Sequence, residues 1–244
     1  LFHLKEVTDW FSEYLTPLVQ TKTELDGYIT SQIEKSKLKK EILVDILKKA
    51  DFNISDILIN EEKKEVGDKM LKVLEALELP EDMIENIKSN PLKKLELEHT
   101  IDGKKYSLPF NLESQGTQRY YGFAGLLSLL VNSSIVIPID ELEDSLHPDL
   151  YIHFLLSFLV NSKKSQIIAT THNREILNNK DLFRNDVIWF TDKGESSSTQ
   201  LYSLSDFDSS IIRDTTNILN AYKAGKLGGT PNLGDYYLNF EFEN

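Results

Sequence analysis

The fold is decided by IVIPIDELEDSLHP, Ile135 to Pro148, read together with QIIATTHN, Gln166 to Asn173. Ile135 to Ile139 is an apolar run with no polar alternation, the pattern of a strand buried on both faces of a parallel sheet. It ends in two adjacent acids, Asp140 and Glu141. Pro148 opens a helix predicted to run to about Val160, because proline suits the first helical position. Gln166 to Thr170 is a second apolar strand, expected to be buried, and it ends in Thr-Thr-His. Strand, helix, strand at this spacing predicts a βαβ unit with a right-handed crossover. Pro138 is a departure, since proline cannot donate to a ladder.

Open α/β sheets bind ligands at the carboxyl ends of their strands. Asp140 stands where it would hold Mg²⁺ through a water shell, because magnesium takes only one or two protein carboxylates. Glu141 points elsewhere and is suited to orienting or deprotonating a water. His172 follows the neighbouring strand and would reach a γ-phosphate or that water. Glu113 to Arg119 reads ESQGTQR. Ser114 would cap a helix predicted to extend to about Asn132, Gly116 permits a close backbone approach, and a helix N-terminus is an anion site. Each feature alone has a plainer reading: a strand end, a turn histidine, a simple N-cap. His147 and His153 are six apart, not the four that places two zinc ligands on one helix face.

Upstream, Leu4 to about Val19 has helical spacing of Leu4, Val7, Phe11, Tyr14, Leu15 and Leu18, with Pro17 expected to kink or end it. A single helical stretch is expected from about Leu25 to Lys49, with an apolar stripe of Tyr28, Ile29, Ile33, Ile42 and Ile46. Its lysines read as a solvated face or a polyanion patch. A short strand follows Asp51, then helices from about Glu65 to Glu78 and Glu81 to Lys88. Asp102-Gly103 predicts a type I′ hairpin within Leu92–Phe110. Its register pairs Ile101 with Lys104, His99 with Tyr106, Leu97 with Leu108 and Leu95 with Phe110, and Glu98 with Ser107 on the other face. Pro109 marks an edge position. Strands at Val187–Thr191 and Gln200–Leu204 and a helix at about Thr215–Ala224 complete the chain, before a Gly- and aromatic-rich tail.

The 244 residues are 40% hydrophobic and 27% charged, an ordinary globular composition. A net charge of −12 argues against coating nucleic acid with the whole surface. The absence of cysteine excludes disulfides and thiolate metal sites and suits a cytoplasmic address. No apolar run approaches the ~18 residues of a bilayer span, so no membrane insertion is expected. The chain starts at Leu1 directly in helical periodicity and is read as the C-terminal portion of a longer protein.

In this order, ESQGTQR, IVIPIDELEDSLHP and QIIATTHN resemble the signature, Walker B, D-loop and His-switch of ABC-like ATPases. The wording is similar to the bacterial AAA-type branch related to the overcoming-lysogenization-defect nucleases, the RecF and SMC-like repair ATPases, and the ATPase subunits of phage-defence systems. The resemblance spans about Asp51 to Pro231. It implies an α/β, P-loop NTPase-like (ABC-type) C-terminal lobe, with a helical arm at 1–91 and the ATPase lobe at 92–244. It implies ATP and Mg²⁺ as cofactors, Asp140 as the Mg²⁺ ligand, Glu141 and His172 as catalytic residues, and Asp144 and Ser145 in the D-loop. Ser114 and Gly116 would touch ATP held by an opposite protomer in a homo-oligomer. A nuclease or other effector partner and nucleic acid are further implied partners. Thr117 stands where many relatives carry Gln or Glu. No G-x-x-x-x-G-K-[ST] phosphate loop occurs anywhere, and no Q-loop is identifiable; VGDKMLK and KAGKLGGT lack the spacing. ATP hydrolysis is therefore expected of the parent rather than of this chain alone. The rival readings are a non-catalytic interaction or regulatory module retaining the fold, and a nuclease whose catalytic domain lies elsewhere.

Overall fold

The computed structural model describes residues 2–62, 92–179, 182–194, 197–208, 212, 217–231 and 233–235. The helices expected at 65–78 and 81–88 lie outside the described residues. The chain divides into two compact units, Leu1–Thr171 and His172–Asn244.

The first unit contains α1 (Phe2–Glu13), α2 (Asp26–Glu34), α3 (Lys40–Lys49), β1 (Ile54–Glu62), β2 (Leu92–Ile101), β3 (Lys104–Pro109), α4 (Gln115–Val131), β4 (Val136–Ile139), α5 (Pro148–Asn161) and β5 (Gln166–Ala169). At its centre is α4, which is apolar almost all round and buried over most of its length, as such a helix must be. It packs against α2, α3 and α5. Phe123 of α4 meets Phe154 of α5 with ring centroids 5.0 Å apart. A Cβ on Gly122 would stand 2.8 Å from Leu25 Cβ, so glycine there lets the chain entering α2 lie against α4.

β1, β2 and β3 form an antiparallel sheet in that order. The hairpin register is the expected one from Ile101↔Lys104 through Leu97↔Leu108, Glu98↔Ser107 included. Asp102 and Gly103 have φ of 50° and 74°, the two positive values a type I′ turn needs. The expected Leu95–Phe110 pair does not form. The ladder stops at Glu96↔Pro109, because Phe110 enters a 3₁₀ turn and is buried there.

β4 and β5 are parallel and adjacent, with α5 as the crossover. On its other side β4 pairs with the segment after α1. Thr16 N–H donates to Val136 O at 2.9 Å, Val19 N–H to Pro138 O at 2.9 Å, and Asp140 N–H to Val19 O at 2.8 Å. This corrects the expectation of a helix to Val19. The helix ends at Glu13, since Pro17 disfavours helical backbone at Thr16 and could not itself donate. The same ladder explains Pro138. Its carbonyl faces the 14–19 segment, so its missing N–H falls on that interrupted side, and the pairing with β5 is unbroken.

Two further expectations are corrected. The stretch Leu25–Lys49 is two helices, broken where Ser36 takes φ 55° and Leu38 is buried in the turn. The break resets the helical phase, so the buried apolar residues of α2 and α3 are Ile29, Leu43, Val44 and Leu47, while Tyr28 and Ile42 are exposed. β5 is apolar but exposed, with Ile168 at 60%. Among the described residues only β4 is hydrogen-bonded to it, and an apolar sequence registers a capacity for burial rather than a neighbour.

The second unit holds β6 (Trp189–Lys193), β7 (Thr199–Ser203) and α6 (Ile218–Lys223). β6 and β7 pair antiparallel, and Phe190, Leu204, Ala221 and Leu227 form its core. Phe190 stacks on Tyr222 at 5.6 Å.

Candidate functional site

The carboxyl ends of β4 and β5 are joined through Thr170. Its N–H donates to Ile139 O at 3.0 Å, and its hydroxyl donates to Asp140 Oδ1 at 2.6 Å. The same hydroxyl accepts Glu141 N–H at 2.9 Å, and its carbonyl accepts Leu142 N–H at 3.0 Å. Leu142 is buried and pins the start of the loop to the core. Glu141 sits at φ 48° and Ser145 at φ 59°, conformations that cost a non-glycine residue about 1–3 kcal/mol and persist only where the surroundings impose them. Thr170 is what imposes the first. The sequence reading passed over it; the available signal was a hydroxyl residue at the end of the strand beside Asp-Glu.

The loop from Glu141 to His147 is closed by two turns, Asp144 N–H to Glu141 O at 2.9 Å and Leu146 N–H to Glu143 O at 3.0 Å. His147 caps α5 by accepting Asp149 N–H at 3.3 Å. That is a structural role, consistent with the unfavourable zinc spacing. Ser145 presents its carbonyl to the first turn of α4: a Cβ on Gly116 would lie 3.2 Å from it. Gly116 is thus a contact point between the ESQGTQR segment and the loop after Asp-Glu.

Ser114 is the N-cap of α4, its hydroxyl accepting Thr117 N–H at 3.1 Å and meeting the Thr117 hydroxyl at 2.8 Å. The first intrahelical bond is Gln118 N–H to Ser114 O at 2.9 Å, which leaves the N–H groups of Gln115 and Gly116 ahead of it at the positive end of a 17-residue helix. Glu113, immediately before the cap, has a side chain only 7% exposed and lies 2.7 Å from His99 Nε2. The other ring nitrogen of His99 lies 3.0 Å from Asn53 O. The His99–Glu113 pair fastens the hairpin to the entrance of α4, and nothing in the sequence joined the two residues.

The structure thus brings together Asp140, Glu141 and Thr170, and separately Gly116 and Ser145. His172 is the first residue of the second unit, two residues beyond Thr170. The donor set at the strand ends is all oxygen, carboxylate and hydroxyl, which suits a hard cation such as Mg²⁺. Among the described residues no group of three or more acidic or histidine side chains is gathered for a metal, which is compatible with an ion that keeps most of its waters.

A parallel β4–α5–β5 unit whose first strand ends in an acidic pair defines a mixed α/β protein compatible with the P-loop NTPase fold. The chain belongs to the AAA-domain family described as "AAA domain, putative AbiEii toxin, Type IV TA system", which matches residues 7–178. That match supports a nucleotide-binding, ATPase-like function and typical use of ATP and Mg²⁺. No curated protein matches the chain. Among the described residues no helix is long and apolar enough to cross a membrane.

Proposed function

We propose that this chain contributes part of an Mg·ATP-hydrolysing site in a dimeric ABC/AAA-type ATPase. Asp140 binds the magnesium through its water shell, and Mg²⁺, when bound, neutralises charge on the phosphate oxygens. Glu141 orients and deprotonates the attacking water. His172 approaches the γ-phosphate or that water. Ser114, Gly116 and the N-terminus of α4 receive the γ-phosphate of ATP held by a second copy, and Asp144 and Ser145 line the same face. The single observation that supports this most is the tie at Thr170, which holds Glu141 in a left-handed conformation beside Asp140.

The 244 residues contain no phosphate loop, so the proposal requires one from outside this sequence, within the OLD, RecF and SMC-related branch. In the full-length cytoplasmic protein the ATPase would serve DNA-related or phage-defence machinery with a nuclease or effector partner. The test is sizing chromatography of that protein with Mg·ATP. Glu141→Gln is expected to lower kcat by roughly 10²–10⁴-fold and to accumulate an ATP-bound dimer. Ser114→Arg in the same background is expected to abolish that dimer. A dimer indifferent to Ser114→Arg would reduce ESQGTQR to a helix cap. Turnover by the 244-residue chain alone, abolished by Glu141→Gln, would reveal a phosphate site of a different kind.

A further inference from the structure

Arg119 is 8% exposed in the second turn of the buried helix α4. Its Nη1 donates to Gln20 O at 3.1 Å and Thr21 O at 3.4 Å, and its Cζ lies 4.6 Å from the centre of the Phe123 ring. The guanidinium is therefore fixed in orientation. Its Nε and Nη2, both shielded from solvent, have no hydrogen-bond partner among the described residues. Those two atoms form the edge that grips a carboxylate with two parallel bonds. The same chain provides the comparison: Arg184 donates from Nε to Asp186 Oδ1 at 3.0 Å and from Nη2 to Oδ2 at 2.8 Å. At Arg119 that edge is empty and buried, where an unmade bond is most costly.

We propose that Arg119 is a positioning residue for the loop that carries Glu141, and that Asp144 is the carboxylate which occupies its Nε–Nη2 edge in a second arrangement of that loop. Gly116 and Arg119 are three residues apart on α4 and share a face. Ser145 rests on Gly116, so the loop already lies along that face. Burial lowers the pKa of Arg119, and Asp144 opposes that effect. In the described arrangement Asp144 instead accepts from its neighbour Ser145 Oγ at 3.2 Å, a weak tie to exchange for a bidentate one. An outside anion is the poorer candidate, because the edge is closed to solvent. The pairing would couple the α4 N-terminus to the Asp140–Glu141 strand end.

The inference rests on the reading of the 140–147 loop as functional, but its test contains no nucleotide, so the two fail separately. The 244-residue chain is compared with Asp144→Asn, Glu143→Gln, Arg119→Met and Arg119→Lys by NMR of the arginine Nε–H and by amide hydrogen exchange. Asp144→Asn is expected to shift the Arg119 Nε–H resonance and to speed exchange at Leu142 to Leu146 by roughly 5- to 30-fold, the factor for one such interaction. Arg119→Met should loosen the loop equally, and Arg119→Lys should restore part of the protection. If Arg119→Met does not fold, the loop variant Asp144→Asn decides alone. An Nε–H resonance and loop exchange unchanged in Asp144→Asn would overturn the proposal, and so would the same effects produced by Glu143→Gln instead.

Discussion

The β2–β3 hairpin and the β4 ladder are both strand pairings, and they are held in opposite ways. The hairpin takes its register from two adjacent residues, Asp102 and Gly103, and its far end is wet: Ile101 is 52% exposed. β4 takes its partners from distant parts of the chain, Tyr14–Val19 on one side and Gln166–Ala169 on the other. Its Val136, Ile137 and Ile139 are buried. The difference teaches where the site's rigidity comes from. Local turn chemistry sets alignment but adds little burial, whereas the non-local ladder buries its side chains and carries Asp140 and Glu141 at its end.

The sharpest way to break this comparison is to truncate one apolar residue in each. Ile137→Ala, at 2% exposure, is expected to cost about 2–5 kcal/mol in urea unfolding. Ile101→Ala should stay within about 0.5 kcal/mol. Equal losses would mean that the hairpin end is covered in solution. Next in size is Thr170→Val, which keeps the shape and removes the hydroxyl bonds to Asp140 and Glu141 N–H. A loss of about 0.5–1.5 kcal/mol is expected, because the bonds are solvent-exposed, with faster amide exchange at Glu141 and no change at the hairpin. Unchanged exchange there would detach Thr170 from the site.

Gly103→Ala should cost about 1 kcal/mol, from its φ of 74° alone, because a Cβ there meets nothing within 4 Å. A loss several times larger would show that the turn bears on the core after all. The smallest effect concerns the ion pair between Lys40 Nζ and Asp56 at 2.7 Å. Burial raises the Asp56 pKa, but the bonds from Lys40 and from Ile57 N–H outweigh it, and the net shift is downward. A lowered carboxylate contributes stability above its unfolded value of 3.8 and loses it as pH falls through the folded one. With a third of each side chain exposed, the contribution is under about 1 kcal/mol. Asp56→Asn should therefore flatten the acid limb of the stability curve only slightly, measured by urea titration between neutral and acid pH.

How much was legible depended on distance along the chain. The Asp-Gly turn, the Ser114 cap and the Pro148 helix start are written in adjacent residues whose backbone preferences act before any tertiary contact forms. The βαβ unit followed from periodicity and spacing, and the acidic pair from its place at a strand end. The strand-like pairing of Leu15–Val19 was hidden, because its apolar residues also fit a helical period, and only the partner β4 decides between them. The buried face of α2 and α3 depended on a break at Ser36 with no strong turn signal, imposed by burying Leu38. The His99–Glu113 pair and the buried edge of Arg119 were invisible for the same reason. Each is an ordinary polar residue until the tertiary structure supplies an acceptor, or withholds one, far away in sequence. The sequence by itself determined the local turns, caps and order of elements; which strand lies beside which, and which polar groups meet, was decided by packing.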